Sequence, residues 1–142
     1  MSERNLHLSD DLAAIVLDAA ARAYPCECCG LIEGVDTADG WEALAVHEAA
    51  NVAEDPKRHF LIDPQVQFDV MRRVRATKRR ILGCFHSHPG GAAEPSAIDR
   101  ASAFEANFVY VIACSAQQAG FTLNAYVSGD RGNVFSKVVL VR

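Results

Sequence analysis

The 142-residue chain has the usual length of one folded domain, and its 50% hydrophobic and 23% charged residues match ordinary globular usage rather than a disordered or membrane-embedded chain. A formal net charge of −4 argues against a general nucleic-acid surface, and no apolar run approaches the ~20 residues that cross a bilayer. The opening MSERNLHLSDD lacks a signal-peptide core, and five cysteines, three of them crowded at Cys26, Cys28 and Cys29, do not make an even disulfide set. A single cytoplasmic domain with reduced thiols is therefore expected, with no membrane and no nucleic acid among its partners.

Ser9 is placed to cap a first helix: Asp10 and Asp11 suit the positive end of its dipole, and Leu12, Ile15, Val16, Ala19, Ala20 and Ala23 recur at helical spacing until Pro25. Strand-like runs at 28–35 and 41–49 flank the turn-rich DTADG and predict a hairpin. A polar loop, NVAEDPKR, leads to a short strand candidate, HFLI (59–62). Asp63-Pro64 then supplies a cap and a first-turn proline for a second helix with Val66, Val70, Met71 and Val74 on one face. The basic run MRRVRATKRR (71–80) reads as a solvated helix face or as a dock for an acidic partner. RILGCFHSH (80–88) predicts a buried strand, Pro95-Ser96 a helix running to about Glu105, and the runs at 108–115, 121–129 and 133–141 three further strands. The expected architecture is α/β: a mixed sheet with helices packed on it.

The chemistry concentrates in HSHPGGAAEPSAID (86–99). On a strand, residues i and i+2 share a face, so His86 and His88 would present two imidazoles side by side while Ser87 points away. Pro89 stops the strand and Gly90-Gly91 lets the chain fold back, so that Asp99, in the first turn of the next helix, can return to the histidines. Two imidazoles, one carboxylate and an open fourth position are the layout of a catalytic zinc site. Taken separately, Ser96-x-x-Asp99 also fits a helix capping arrangement, and His-x-His also fits a hydrogen-bonded pair. Metal coordination lowers the pKa of water from about 15.7 to about 7, and a base is still needed to move its proton. Glu27, in PCECCG just ahead of an apolar strand, is a candidate for that base, or else an ordinary strand-edge charge.

Glu27, His86-Ser87-His88-Pro89 and, with seven residues between His88 and Ser96, Ser96-x-x-Asp99 together resemble the JAMM signature of MPN-domain metalloproteases. The resemblance extends to PCECCGLIEG, GCFHSHP and NVAEDPKRHFLIDP, over roughly residues 10–127, and is strongest for small prokaryotic members. It implies a mixed central sheet flanked by helices, in a three-layer arrangement like that of cytidine deaminases. It also implies His86, His88 and Asp99 as Zn2+ ligands, Glu27 as general acid/base and Ser96 as a donor to the oxyanion. The implied activity is hydrolysis of an amide or isopeptide bond at the C-terminal tail of a ubiquitin-like protein. The short connections of this chain resemble the bacterial members that trim a ubiquitin-like sulfur carrier; assembly as a homodimer is left open.

Two rivals differ in kind. A zinc deaminase needs His-x-Glu before Pro-Cys-x-x-Cys, and here the cysteines come first with the wrong spacing. A non-catalytic MPN scaffold would retain the metal without turnover. The trio Cys26, Cys28 and Cys29 reads as small buried thiols rather than a second metal site, Cys84 and Cys114 as core, and His47 and His59 as surface or hydrogen-bonded residues. The edge of HFLI beside His59 could receive an extended tail by strand addition.

Overall fold

Ser9 does cap the first helix: its side chain accepts from the Leu12 N–H, and α1 runs Asp10–Ala23 with Ala13, Val16, Ala19 and Ala20 on its buried face. The computed structural model describes residues 3–91, 106–115, 120–129 and 134–142. Its other elements are β1 (Asn5–His7), β2 (Cys29–Thr37), β3 (Gly40–Ala49), α2 (Pro64–Arg75), β4 (Arg80–His88), β5 (Val109–Ser115), β6 (Phe121–Ser128) and β7 (Phe135–Val141). The expected hairpin is β2–β3, and each of the later strand candidates at 80–88, 108–115, 121–129 and 133–141 is present. The expected helix after Ser96 lies outside the described residues. No helix among the described residues is long and apolar enough to cross a membrane.

The sheet is mixed, as expected, and it closes on itself in the order β1-β3-β2-β4-β5-β6-β7. The closing strand, β1, was not foreseen in the polar N-terminal sequence. Only Leu6 of its three residues is buried, while Asn5, Leu6 and His7 pair in parallel with both β3 and β7. The apolar alternation is too short to register as a strand pattern.

Helices α1 and α2 cover opposite faces. Along β2, Ile32 joins a cluster with Leu6, Val16, Trp41, Phe85 and Val111, whereas its neighbour Leu31 joins Val70, Cys84 and Tyr110. The first cluster draws on all seven strands and on α1, and so fills the inside of the closed sheet; the second lies outside, beneath α2. Burying each such Leu, Ile, Val or Phe contributes roughly 1.5–3 kcal/mol. Gly30 is required between these layers, since a Cβ there would collide with the His47 carbonyl and the Phe85 ring.

Three expectations need correction. HFLI does not form a strand: Asn51 and Ile62 make one isolated bridge, and the Leu61 N–H donates to the Asn51 side chain instead of to a ladder carbonyl. Met71 leaves the apolar face of α2 and is 45% exposed, because only Val66, Val70 and Val74 align with the cluster below. The basic run is not simply solvated: Arg73 and Arg79 reach the buried Glu33, and Arg80 pairs with Asp36.

Candidate metal centre

Register brings the site together. In the antiparallel β2–β4 ladder Cys29 stands opposite His86 and Leu31 opposite Cys84. Continuing that register two residues beyond the ladder sets Glu27 across from His88, on the face that carries His86. One ligand atom from each of Glu27, His86 and His88 lies within 4.8 Å of the others, and such a group could hold a metal ion. Glu27 and His86 are buried and His88 is partly so. Ser96 and Asp99 lie outside the described residues.

The donor set suits a shared cation. The Nε2 atoms of His86 and His88 are 3.1 Å apart, and two imidazole nitrogens on one tetrahedral zinc, at about 2.0–2.1 Å each, would be separated by about 3.3 Å. Phe60 stacks on His86 with centroids 4.3 Å apart and planes inclined by 17°, and His88 meets His86 edge-on at 4.8 Å. The His86 imidazole is thereby held by contacts to an apolar ring and to the His88 imidazole.

Ser87, expected to face away, does so with a structural role. Its Oγ accepts from the Cys28 N–H at 2.8 Å, and its own N–H donates to the Cys28 carbonyl at 3.3 Å. These bonds tie the His-Ser-His strand end to the segment bearing Glu27. On the far side of His88 the Gly90 N–H donates to Ser115 Oγ at 2.8 Å, which anchors the departing loop to β5.

Cys28 and Cys29 are buried thiols as expected, whereas Cys26, expected with them, is only half-buried. Burial pushes Cys28 up to about 11 and Cys29 up to about 12, so both are protonated at neutral pH, which opposes a thiolate metal site. Cys29 Sγ donates weakly to the Ala49 and Ala50 carbonyls, and Cys84 and Cys114 are buried as expected.

Two residues that shape the site have no role assigned from the sequence, although the first opens the NVAEDPKRHFLIDP segment that carries part of the resemblance. Asn51 donates to the Glu27 carbonyl at 3.0 Å and to the His59 carbonyl at 2.9 Å; a lone Asn between a strand and a polar loop gives little local signal. Glu33, fully buried in β2, accepts from His47 at 2.8 Å and from Arg73 and Arg79 at 3.0 Å each. A charged residue inside the apolar run CGLIEGV, followed by an arginine-rich stretch, was the available clue.

Comparison with known proteins agrees with this geometry. The family model of prokaryotic homologs of the JAB domain matches residues 9–126. A Haloferax volcanii protein named desampylase is 31% identical over 119 residues, covering 81% of this chain and 84% of its own. The solution structure of a Desulfitobacterium hafniense protein superposes with a TM-score of 0.81 at 28% identity, covering 96% of this chain and 93% of that one. An Archaeoglobus fulgidus JAB1/MPN domain protein shares the fold at a TM-score of 0.54 and 18% identity, covering 99% of this chain and 100% of its own.

Proposed function

The chain belongs to the prokaryotic homologues of the JAB domain, and on that premise we propose that it is a zinc metallopeptidase acting on the C-terminal tail of a ubiquitin-like protein. The observation that carries this reading is the convergence of Glu27, His86 and His88, three ligand atoms within 4.8 Å in a mostly buried cluster. The similarity to a desampylase supports hydrolysis as the reaction class. The narrower substrate we propose is a ubiquitin-like sulfur carrier, cut at an amide or isopeptide bond at the end of its tail.

His86 and His88 would hold the zinc together with Asp99. When bound, zinc supplies Lewis acidity, polarising the scissile carbonyl and making a water easier to deprotonate. Glu27 takes the proton of the attacking water as its oxygen bonds to the carbonyl carbon, then returns that proton to the amine nitrogen as the C–N bond breaks. Ser96 donates to the carbonyl oxygen as negative charge builds there, a contact worth about 10²–10³ in rate. Phe60, stacked on His86, covers one face of that imidazole with an apolar ring.

The test is to incubate the zinc-loaded protein with ubiquitin-like carriers bearing C-terminal extensions and to follow product mass. Loss of the extension, abolished by a chelator and restored by zinc, is the expected result. Full zinc occupancy with every extension left intact would favour the non-catalytic scaffold and overturn the hydrolase reading.

A further inference from the structure

We infer that Asn51 is a positioning residue for this chemistry: its carboxamide fixes the backbone that carries Glu27 and, by the same set of bonds, the ring that lies on His86. The inference rests on the hydrolase reading above and adds to it a residue outside the metal-binding signature. It starts from what the sheet does not do. The β2–β3 ladder begins at Cys29 and ends at Ala49, so no ladder bond reaches Glu27, two residues earlier. Ser87 holds the neighbouring Cys28 to β4 through two hydrogen bonds, and one residue further out the Glu27 backbone is held from the 51–56 loop instead.

Asn51 takes over where the ladder stops. A carboxamide has two N–H donors and two acceptor lone pairs, and here all four are used. Nδ2 donates to the Glu27 carbonyl at 3.0 Å and to the His59 carbonyl at 2.9 Å, with the Pro56 carbonyl a longer third at 3.4 Å. Oδ1 accepts from the Ala53 N–H at 3.1 Å and from the Leu61 N–H at 3.0 Å. Turning the amide over would set its oxygen against carbonyl oxygens and its NH2 against N–H groups, so only one orientation satisfies the network.

The bonds reach both partners of the reaction centre. The Glu27 N–H donates to the Pro56 carbonyl at 2.8 Å while its carbonyl accepts from Asn51, so the 51–56 loop holds both backbone groups of the base. The other two strong bonds grip His59 and Leu61, the residues flanking Phe60, whose ring stacks on His86. One side chain thus sets the spacing between the proton carrier and a metal ligand without touching either functional group.

The test compares Asn51→Asp, alone and with Glu27→Gln, in the zinc-loaded protein. Asp keeps the acceptor oxygen but loses both donors and places a charged oxygen against the Glu27 and His59 carbonyls. The expected result is a fall in kcat of about 100-fold with KM changed by less than about threefold and zinc content unchanged, as for a misplaced catalytic group. On the residual rate of Glu27→Gln the same substitution should have almost no further effect, because there is no longer a base to misplace. Amide exchange in the metal-free protein reads the same bonds without turnover: the Glu27 amide should exchange at least about tenfold faster, with Phe85 in β4 unchanged. If Asn51→Asp does not fold, Asn51→Ser, with one donor and one acceptor, should shift both readouts in the same direction. An unchanged kcat, an equal loss in the Glu27→Gln background, or an unchanged Glu27 amide overturns the inference. If the wild-type protein cleaves nothing, the hydrolase reading fails by itself, and the exchange experiment still decides whether Asn51 holds the Glu27 backbone.

Discussion

Two buried glutamates, Glu27 and Glu33, lie six positions apart in one stretch of chain, and the protein treats them in opposite ways. Glu33 is 1% exposed and faces His47, Arg73 and Arg79. Burial disfavours its charge, but the hydrogen bonds from His47, Arg79 and Arg73 outweigh that and hold its carboxyl below the ordinary value of 4.5. Glu27 is 6% exposed, and its carboxylate faces two imidazoles instead. The difference teaches that burial of a carboxylate does not by itself mark chemistry. A carboxylate surrounded by fixed cations is committed to the fold, whereas one grouped with two imidazoles that could hold a metal is the proton carrier of the proposed mechanism.

Substitution to glutamine should separate the two roles, and the largest effect is expected at Glu27. Glu27→Gln keeps the shape but cannot accept a proton, so turnover of a carrier extension should fall by about 10²–10⁴-fold while zinc content and thermal midpoint stay near wild type. His86→Ala should lose the metal as well as the activity, since it removes one of the two clustered nitrogen donors. Hydrolysis that survives Glu27→Gln would remove Glu27 from the mechanism and break the comparison on its catalytic side.

At Glu33 the expected loss is in folding. Glu33→Gln leaves two guanidinium groups facing a neutral amide. Arg73 and Arg79 are 59% and 38% exposed and can recover water, so the cost should be about 1–3 kcal/mol rather than that of two stranded buried charges. Urea unfolding should show a lower midpoint with an unchanged slope, and the activity per folded molecule should hold. The pH dependence has a definite sign. Because the folded-state pKa of Glu33 is depressed, the unfolded chain takes up the proton first as the solution is acidified. The stabilisation is therefore complete above the ordinary value of 4.5 and drains away as pH falls below it toward the folded value. Asp36 and Asp69, held down by Arg80 and Arg72 respectively, add in the same direction. Glu33→Gln should flatten the acid limb of the stability profile; an unchanged limb would mean that the buried network does not carry it.

These two glutamates also mark the limit of what the sequence made legible. His86 and His88 could be placed on one face from strand periodicity alone, and α1, α2, the β2–β3 hairpin and β4 to β7 follow from caps, turns and alternating apolar runs. Glu27 could be joined to the histidines only through resemblance, because the β2–β4 register that sets Cys29 opposite His86 links residues almost sixty positions apart. Periodicity carries no information about such a pairing. Glu33 failed for a related reason: its three partners come from β3, from α2 and from the residues just ahead of β4, so the arginine run looked like solvated charge. Asn51 and the closing strand β1 are local in sequence, but their roles depend on what other segments bring to them. The four-residue run HFLI has the composition of a strand, and it is Asn51 that diverts its hydrogen bonding.

The smallest expected effect tests whether the two regions are independent. Asp63 caps α2, its side chain accepting from the Gln65 N–H at 3.0 Å, and its own N–H donates to the Ala50 carbonyl next to Asn51. Helix α2 therefore starts at the loop that holds Glu27 and ends near Arg73, which holds Glu33. Asp63→Ala removes one helix cap and should cost about 1 kcal/mol in unfolding free energy, leaving the Ala50 contact in place because it is made by backbone. If the catalytic and structural glutamates are supported separately, that loss should appear in the urea midpoint alone, with kcat for carrier hydrolysis within about twofold of wild type. A parallel fall in kcat would mean that the helix start, through Ala50 and Asn51, also sets the position of Glu27, and that stability and catalysis share one support.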